Sequence, residues 1–392
     1  MRRSSYPVDM TTSVLVLGAG FGGLELSSRL ASELGDQVEI TLIDRNDSFV
    51  FGFTKLEVMI GRRTPESVRY PYRDIAHPAI RFRQETITAI DPGVRRVTTD
   101  AGRYEADVLV VALGATYDLA ATPGLAEAGH EFYSMPGVER LRPVLADFSS
   151  GRLVVGVCGP IHKCPPAPSE AVLLIEELLR ERGVRDAVDL EVIIPGPRPV
   201  GPSRDASDQI VANFSKRGIT FTPERRVTAL DPTTREAVLD DGSRRPFDLF
   251  LGVPVHVVPD VVAVSGLTDK GWVTVDRSTL ETPFPGVYAV GDVANVGTAK
   301  AGVFAERAAR VVADGIIARV RSEAPPAAFD GKGSCWVEYG RGEVGRVDVD
   351  FYTTPGQPTG VYTAPSDQTR SEKSLFASSR HARWFGVEPT GR

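Results

Sequence analysis

The 392-residue sequence predicts an α/β protein: two Rossmann-like, dinucleotide-binding domains with parallel sheets, plus a small C-terminal region. Three observations carry that expectation. An apolar run over 13–17 stops at Gly18-Ala19-Gly20-Phe21-Gly22-Gly23 and resumes with helical spacing over 24–34. An element spanning 80–114 recurs over 219–253. A late apolar strand ends in a second glycine–acid pair, Gly291-Asp292.

The glycine loop opens a strand–turn–helix–strand unit whose second strand, over 38–44, closes on Asp44, with Arg45 beside it. Gly18 permits the tight turn, Gly20 lets backbone approach a pyrophosphate, and Gly23 lets helix and strand pack closely. The helix N-terminus then presents free N–H groups and partial positive charge to the phosphates. Asp44 is placed to accept from ribose hydroxyls and to repel a 2′-phosphate.

Residues 77–90 read as a strand, 95–104 as a hairpin about Asp100-Ala101-Gly102, and 107–113 as a buried strand. The repeat sets Thr88-Ala89-Ile90-Asp91-Pro92 against Thr228-Ala229-Leu230-Asp231-Pro232. Each copy continues through an Asp-x-Gly hairpin to an aspartate, Asp107 or Asp248, before an apolar strand. Duplication of one nucleotide-type unit accounts for this. Between the copies lie a strand (152–157), an amphipathic helix (169–183), a strand (190–194) and a helix (206–217). A helix over 302–321 and a proline-rich linker lead into a tail carrying Trp336, Phe351 and Trp384. The expected partition is 12–117 with 245–322, then 118–244, then 323–392.

A net charge of -6 with both signs interspersed excludes a phosphate-tracking, nucleic-acid-binding surface. The first dozen residues lack the apolar run of a signal peptide, and no stretch approaches the roughly 18–20 apolar residues of a membrane span. A cytoplasmic protein with at most peripheral membrane contact is expected. Cys158, Cys164 and Cys335 are too few for a disulfide scaffold and lack zinc-ligand spacing, so each is a core residue or a redox group.

The run from Asp107 to Ala115, with Ala112 and Gly114, and the run from Thr282 to Asp292 resemble the two other fingerprints of the pyridine nucleotide-disulfide oxidoreductase superfamily. The resemblance extends from Ser13 to about Gly386, and it implies FAD as the cofactor. It implies further that Asp292 holds the ribityl hydroxyls and that Lys300-Ala301-Gly302 lie by the pyrimidine edge of the flavin, where a positive helix end stabilises the anionic reduced ring.

Most of that superfamily carries a second glycine loop for NADH or NADPH. Here the corresponding segment reads Val157-Cys158-Gly159-Pro160-Ile161-His162-Lys163-Cys164-Pro165-Pro166. Prolines cannot donate to phosphates, and the strand after it ends without an acid, so no nicotinamide site is expected there. Lys163-Cys164-Pro165-Pro166-Ala167-Pro168 is similar to the sulfide:quinone oxidoreductase and flavocytochrome c sulfide dehydrogenase branch, with Cys335-Trp336-Val337-Glu338 as the second cysteine segment. That resemblance implies that Cys164 and Cys335 flank the flavin as a redox pair. Hydrosulfide would open their disulfide, and the freed thiolate would pass two electrons to FAD. Lys163 and the following helix are expected to favour thiolate.

The sequence also departs from the branch. The third cysteine of many sulfide:quinone oxidoreductases is missing between 118 and 150, and the segment from Asp292 to Lys300 is short. Cys158 is either a resolving thiol or a core residue. His256 and His162 are either proton shuttles or structural. Trp384 and Phe385, beside Arg380 and Arg383, suit a membrane headgroup region; the alternatives are a helix that caps the flavin domain or a dimer contact. The expected activity is FAD-dependent oxidation of a small sulfur donor with transfer to a quinone. The alternatives are an oxidase or dehydrogenase of another small molecule, an NAD(P)H-dependent flavin reductase, and a non-catalytic redox sensor.

Overall fold

A computed structural model describes residues 11–354 and 356–386. The expectation for the first ten residues lies outside the described residues. Two five-stranded parallel sheets form the frame. The first runs Val287–Ala289, Val108–Val111, Thr12–Leu17, Val38–Asp44, Ile80–Gln84. Its central strand is apolar and fully buried from Val14 to Leu17, the continuous run expected of a parallel strand covered on both faces. The second runs His130–Glu131, Leu249–Val253, Gly151–Val157, Val188–Ile193, Ile219–Thr222.

The repeat is visible in atomic detail. Asp107 accepts from the amide of Ser13 at 2.9 Å, and Asp248 accepts from that of Arg152 at 2.8 Å. Each aspartate thereby pins the first strand of its own sheet. Arg95 and Arg235 occupy matching turns with φ of 52° and 54°. Both antiparallel meanders bulge at the matching position, Ile87/Ala89 and Val227/Ala229.

Two sequence expectations need correcting. The strand read over 77–90 divides into Ile80–Gln84 and Ile87–Asp91. Glu85 breaks it, because its carboxylate turns to accept from Thr99 and Tyr104 of the meander. The domain limit at 245 also falls too early. Leu249–Val253 completes the second sheet, and the chain crosses back only through Val255–Val257, which pairs with Thr116–Asp118.

The tail adds an antiparallel sheet of Lys332–Gly340, Glu343–Asp350 and Thr359–Thr363, then the helix Asp367–Phe385. A Ser366/Thr369 capping box starts that helix and Gly386, at φ 68°, ends it. Trp384 and Phe385 do not face outward as headgroup anchors. Both are buried, with Trp384 edge-on to Phe21 and Phe49 at 5.7 and 5.4 Å. The indole N–H donates to buried Glu25 at 2.8 Å, and Glu25 also receives Arg310 and Arg383. Glu306, equally buried, pairs with Arg310 and Arg380. Paired charges and an apolar ring thus seat the helix end on the glycine-loop helix, Phe21–Leu34.

Trp384→Ala should cost about 3–5 kcal/mol by the cavity and the orphaned Glu25 oxygen. Urea unfolding followed by tryptophan-independent circular dichroism checks this; an unchanged midpoint would show the tail docks by other contacts.

Candidate functional site

The glycine loop has the geometry its residues imply. Gly18 sits at φ +98°, where a Cβ would lie 2.5 Å from the Ala112 carbonyl oxygen. A Cβ at Gly23 would lie 1.9 Å from the Gly18 oxygen, while one at Gly20 would meet nothing within 4 Å. Helix and strand therefore need Gly23 for contact, whereas Gly20 faces open space. Asp44 accepts from the Ala19 amide at 2.8 Å and from Asn46, which holds the carboxylate across the loop; Arg45 is exposed beside it.

A second helix meets the first at this point. Gly302–Arg321 packs along Phe21–Leu34, and a Cβ at Gly302 would lie 2.7 Å from the Phe21 ring. Gly22 is tight against Val290. Neither N-cap, Gly20 nor Ala301, supplies a side-chain hydrogen bond. Two helix N-termini with uncapped first-turn amides thus converge, which suits the phosphates of a flavin dinucleotide and its ring, anionic when reduced. Gly114 (φ +66°) opens on the same side with free space, and Gly291 (φ +79°) turns the chain into Asp292. Burial raises the Asp292 pKa against the lysines around it. Lys300 is folded back: its ammonium donates to the Asp292 carbonyl at 2.6 Å and lies 3.4 Å from the Trp272 ring centroid. Burial lowers its pKa to about 8. The backbone of Ala301 and Gly302, more than the Lys300 charge, is what this end offers a ring.

The cysteine loop is tied to the same place. The Cys164 amide donates to the Lys300 carbonyl at 2.8 Å, and the Cys164 carbonyl accepts from Ala167 at 2.8 Å. These bonds hold Cys164 at φ 50°, a left-handed conformation costing a β-carbon residue about 1–2 kcal/mol. The helix Ala167–Glu181 then packs against the strand Lys332–Gly340, which carries Cys335. Glu170 accepts from the Glu338 amide at 2.9 Å and Glu177 from the Arg341 amide at 2.8 Å. A Cβ at Gly333 would lie 2.8 Å from the Phe304 ring, so the cysteine strand also abuts the first turn of Gly302–Arg321.

The electrostatics run against one expectation, an activated thiolate, and favour the core and structural alternatives for Cys158 and the two histidines. Cys164 is not an activated thiolate. Burial drives its pKa well above the usual thiol value, and the charges of Glu170 and Cys335 raise it further. Cys335 is likewise pushed up to about 12 by burial and Glu170. Lys163, expected to favour thiolate, turns instead to the Ala115 carbonyl at 3.3 Å and the Tyr117 ring at 4.6 Å. Cys158 is a core residue, packed with Leu125 and Phe250 and pushed up to about 12. Burial lowers His256 and His162 to about 3 and about 4, which favours the structural alternative for both.

Sequence reasoning missed three groups. Glu170 is 3% exposed, and burial raises its carboxyl to about 7. The available signal was an acid on the apolar face of the helix, six residues after Cys164. Lys373 forms a 2.5 Å ion pair with Glu338 over the same joint. Lys55, on the short helix Thr54–Met59, is lowered to about 7 by burial and by Lys163; nothing in its local sequence marks it.

The chain matches the pyridine nucleotide-disulphide oxidoreductase family over residues 12–160 and 177–313. It is 24% identical over 386 residues to the mitochondrial sulfide:quinone oxidoreductase of Mus musculus, covering 93% of this chain and 82% of that protein. The Schizosaccharomyces pombe counterpart is 26% identical over 354 residues, covering 82% and 77%. The X-ray structure of the sulfide:quinone oxidoreductase of Aquifex aeolicus superposes with a TM-score of 0.81 at 22% identity, over 95% of this chain and 91% of that one. The chain belongs to the pyridine nucleotide-disulphide oxidoreductase family, as an FAD-dependent oxidoreductase of its sulfide:quinone oxidoreductase-like branch.

Proposed function

We propose that the protein oxidises sulfide, or a closely related thiol or persulfide, at Cys164 and Cys335 and delivers two electrons to a quinone. One observation carries this reading: two cysteines distant in sequence converge on the N-terminus of Gly302–Arg321, Cys164 through its bond to the Lys300 carbonyl. The prolines at 165, 166 and 168 occupy the turn where a nicotinamide phosphate would need N–H donors, which supports a donor other than NADH.

With the pair oxidised, hydrosulfide attacks one sulfur. The S–S bond breaks, one cysteine becomes Cys–S–SH and the other leaves as thiolate. A second hydrosulfide takes the outer sulfur of the persulfide, leaving as HSS⁻ with loss of one proton and freeing the second cysteine as thiolate. Re-formation of the cysteine S–S bond then gives up two electrons, so the balance is two HS⁻ giving HSS⁻, H⁺ and two electrons. Gly18–Gly23, Asp44, Gly114 and Asp292 would hold FAD, which would supply the two-electron carrier between sulfur and quinone. Glu170 serves as the proton acceptor. Its carboxyl lies among both thiols, and a pKa about 7 matches the task.

A cleft of about 860 Å³ opens on the other face of the cysteine strand, where Ser334 and Trp336 point. Trp336 and Phe376 stand 5.1 Å apart in it, and the exposed Leu375 and Val361 form its apolar rim. This is the seat we assign to the quinone. Arg346, Asp348, Glu372 and Arg380 also line the cleft, which favours as a second reading a polar, water-soluble acceptor. No described helix is long and apolar enough to cross a membrane; peripheral contact would fall on that rim.

Anaerobic sulfide should bleach the flavin, and Cys164→Ser should abolish bleaching while retaining FAD; bleaching by NADH and not sulfide would sink the proposal. Trp336→Ala should raise the KM for a short-chain quinone about tenfold with sulfide-driven bleaching unchanged, since one stacked ring is worth about 1–1.5 kcal/mol. Substitution of Glu170 by Gln removes a charge that disfavours thiolate, so iodoacetamide should label Cys335 of the reduced protein about three- to tenfold faster above pH 7. Below about pH 6, where Glu170 is itself protonated, the two proteins should converge. Mass spectrometry reads the rates, with Cys158 unlabelled in both.

A further inference from the structure

Near Cys164, among the described residues, two lysines have no salt-bridge partner and one imidazole nitrogen has no hydrogen-bond partner. Lys55 donates to the Tyr133 carbonyl and Lys163 to that of Ala115, yet among the described residues neither forms an ion pair within 4 Å. The Glu131 carboxylate is engaged by the amides of Tyr133 and Ser134, at 2.8 and 2.9 Å, and Asp292 faces Lys163, Lys300 and Lys55 together. Cations outnumber free carboxylates here, an arrangement that is costly to bury unless an anion completes it.

His256 supplies the second observation. It is 5% exposed, and its Nδ1 lies 2.8 Å from the Pro254 carbonyl. A carbonyl only accepts, so Nδ1 carries the hydrogen and Nε2 presents a lone pair. That Nε2 is buried with no hydrogen-bond partner. His256 stands directly opposite Tyr117 across the two crossing strands, with its ring 5.0 Å from Tyr117 and 5.2 Å from Tyr133. Lys163 lies against the same Tyr117 ring, and the Tyr133 hydroxyl donates to the Lys163 carbonyl at 3.1 Å. The orphan acceptor and the unpaired ammonium groups therefore share one set of walls.

We propose that Lys55, Lys163 and His256 form a holding site for a small sulfur anion that still bears hydrogen, the hydrosulfide ion, next to Cys164. The two ammonium groups take the negative charge, and His256 Nε2 accepts from S–H. An anion without hydrogen leaves the histidine nitrogen unpartnered, and water leaves the ammonium charges unneutralised. The choice of hydrosulfide rests on the sulfide reading above; the demand for an anion with a donor hydrogen rests on the side chains alone.

The test is anaerobic calorimetry on flavin-loaded Cys164→Ser protein, which binds without turning over, titrated with sodium hydrosulfide and separately with sodium bromide. Lys55→Met should weaken both anions by about tenfold, the loss of one charge-assisted contact. His256→Phe keeps the aromatic packing; it should weaken hydrosulfide about tenfold and leave bromide unchanged. Should Lys55→Met release its flavin, the His256→Phe contrast decides alone, and Lys55→Arg should restore bromide binding. With both cysteines present, each substitution should raise the KM for sulfide more than it lowers kcat. Equal hydrosulfide affinity in all variants, with wild-type flavin still bleached by sulfide, would overturn the holding site and leave the sulfide reading standing. Lys55-dependent bromide binding without bleaching by sulfide would do the reverse.

Discussion

The joint between the helix Ala167–Glu181 and the strand Lys332–Gly340 is the constraint on which the chemistry depends. Two carboxylates of one helix, Glu170 and Glu177, accept the backbone amides of Glu338 in the strand and of Arg341 in the turn that follows it. Such bonds fix a strand's register as well as its position, because an amide one residue away points to the opposite side. Cys164 enters this helix and Cys335 lies in this strand, so one pair of hydrogen bonds sets the distance between two sulfur atoms that the chain separates widely. The charges this requires are balanced locally: Arg62 pairs with Glu177 at 2.6 Å, and Arg217 reaches the Tyr339 carbonyl.

Most of the frame was legible in sequence because parallel sheets write themselves as apolar runs and glycine turns. Gly18–Gly23, Asp44, the repeat at 80–114 and 219–253, and the helix Gly302–Arg321 all fall where their patterns put them. What the pattern could not carry was anything decided by burial across distant segments. Lys163 beside Cys164 reads as an activating charge, but its side chain turns toward Tyr117. The histidines are open in sequence between acid–base and structural roles, and burial, by lowering their pKa, favours neutral rings. Trp384 and Phe385 carry the amphipathic look of an interface, and only the partners Glu25, Phe21 and Phe49 reveal an inward face. Glu170 was hidden because an acid in a helix's first turn is ordinary.

The duplication explains how one chain came to hold two related units whose loops differ. Both units keep the aspartate that pins the first strand, the bulged meander and the arginine in its turn. They differ at the loop after that strand. In the first unit glycines leave amides free for phosphate. In the second, prolines withdraw amides and a left-handed cysteine takes the turn. The same scaffold position thus changes from an anion cradle to a sulfur site by altering which backbone groups can donate.

The order of strands in the first sheet has a consequence for how the protein is made. Thr12–Leu17 and Val108–Val111 are among the earlier parts of the chain, but their neighbour Val287–Ala289 lies beyond the whole second unit. Gly302–Arg321 and then Trp384 follow later still and pack on Phe21. Contacts of such sequence separation form slowly and late, since the loop-closure entropy precedes the gain. During synthesis the second unit can therefore fold while the first stays open, with its glycine loop uncovered. Cofactor capture then waits for Val287–Ala289 and Gly302–Arg321, which follow the whole second unit along the chain.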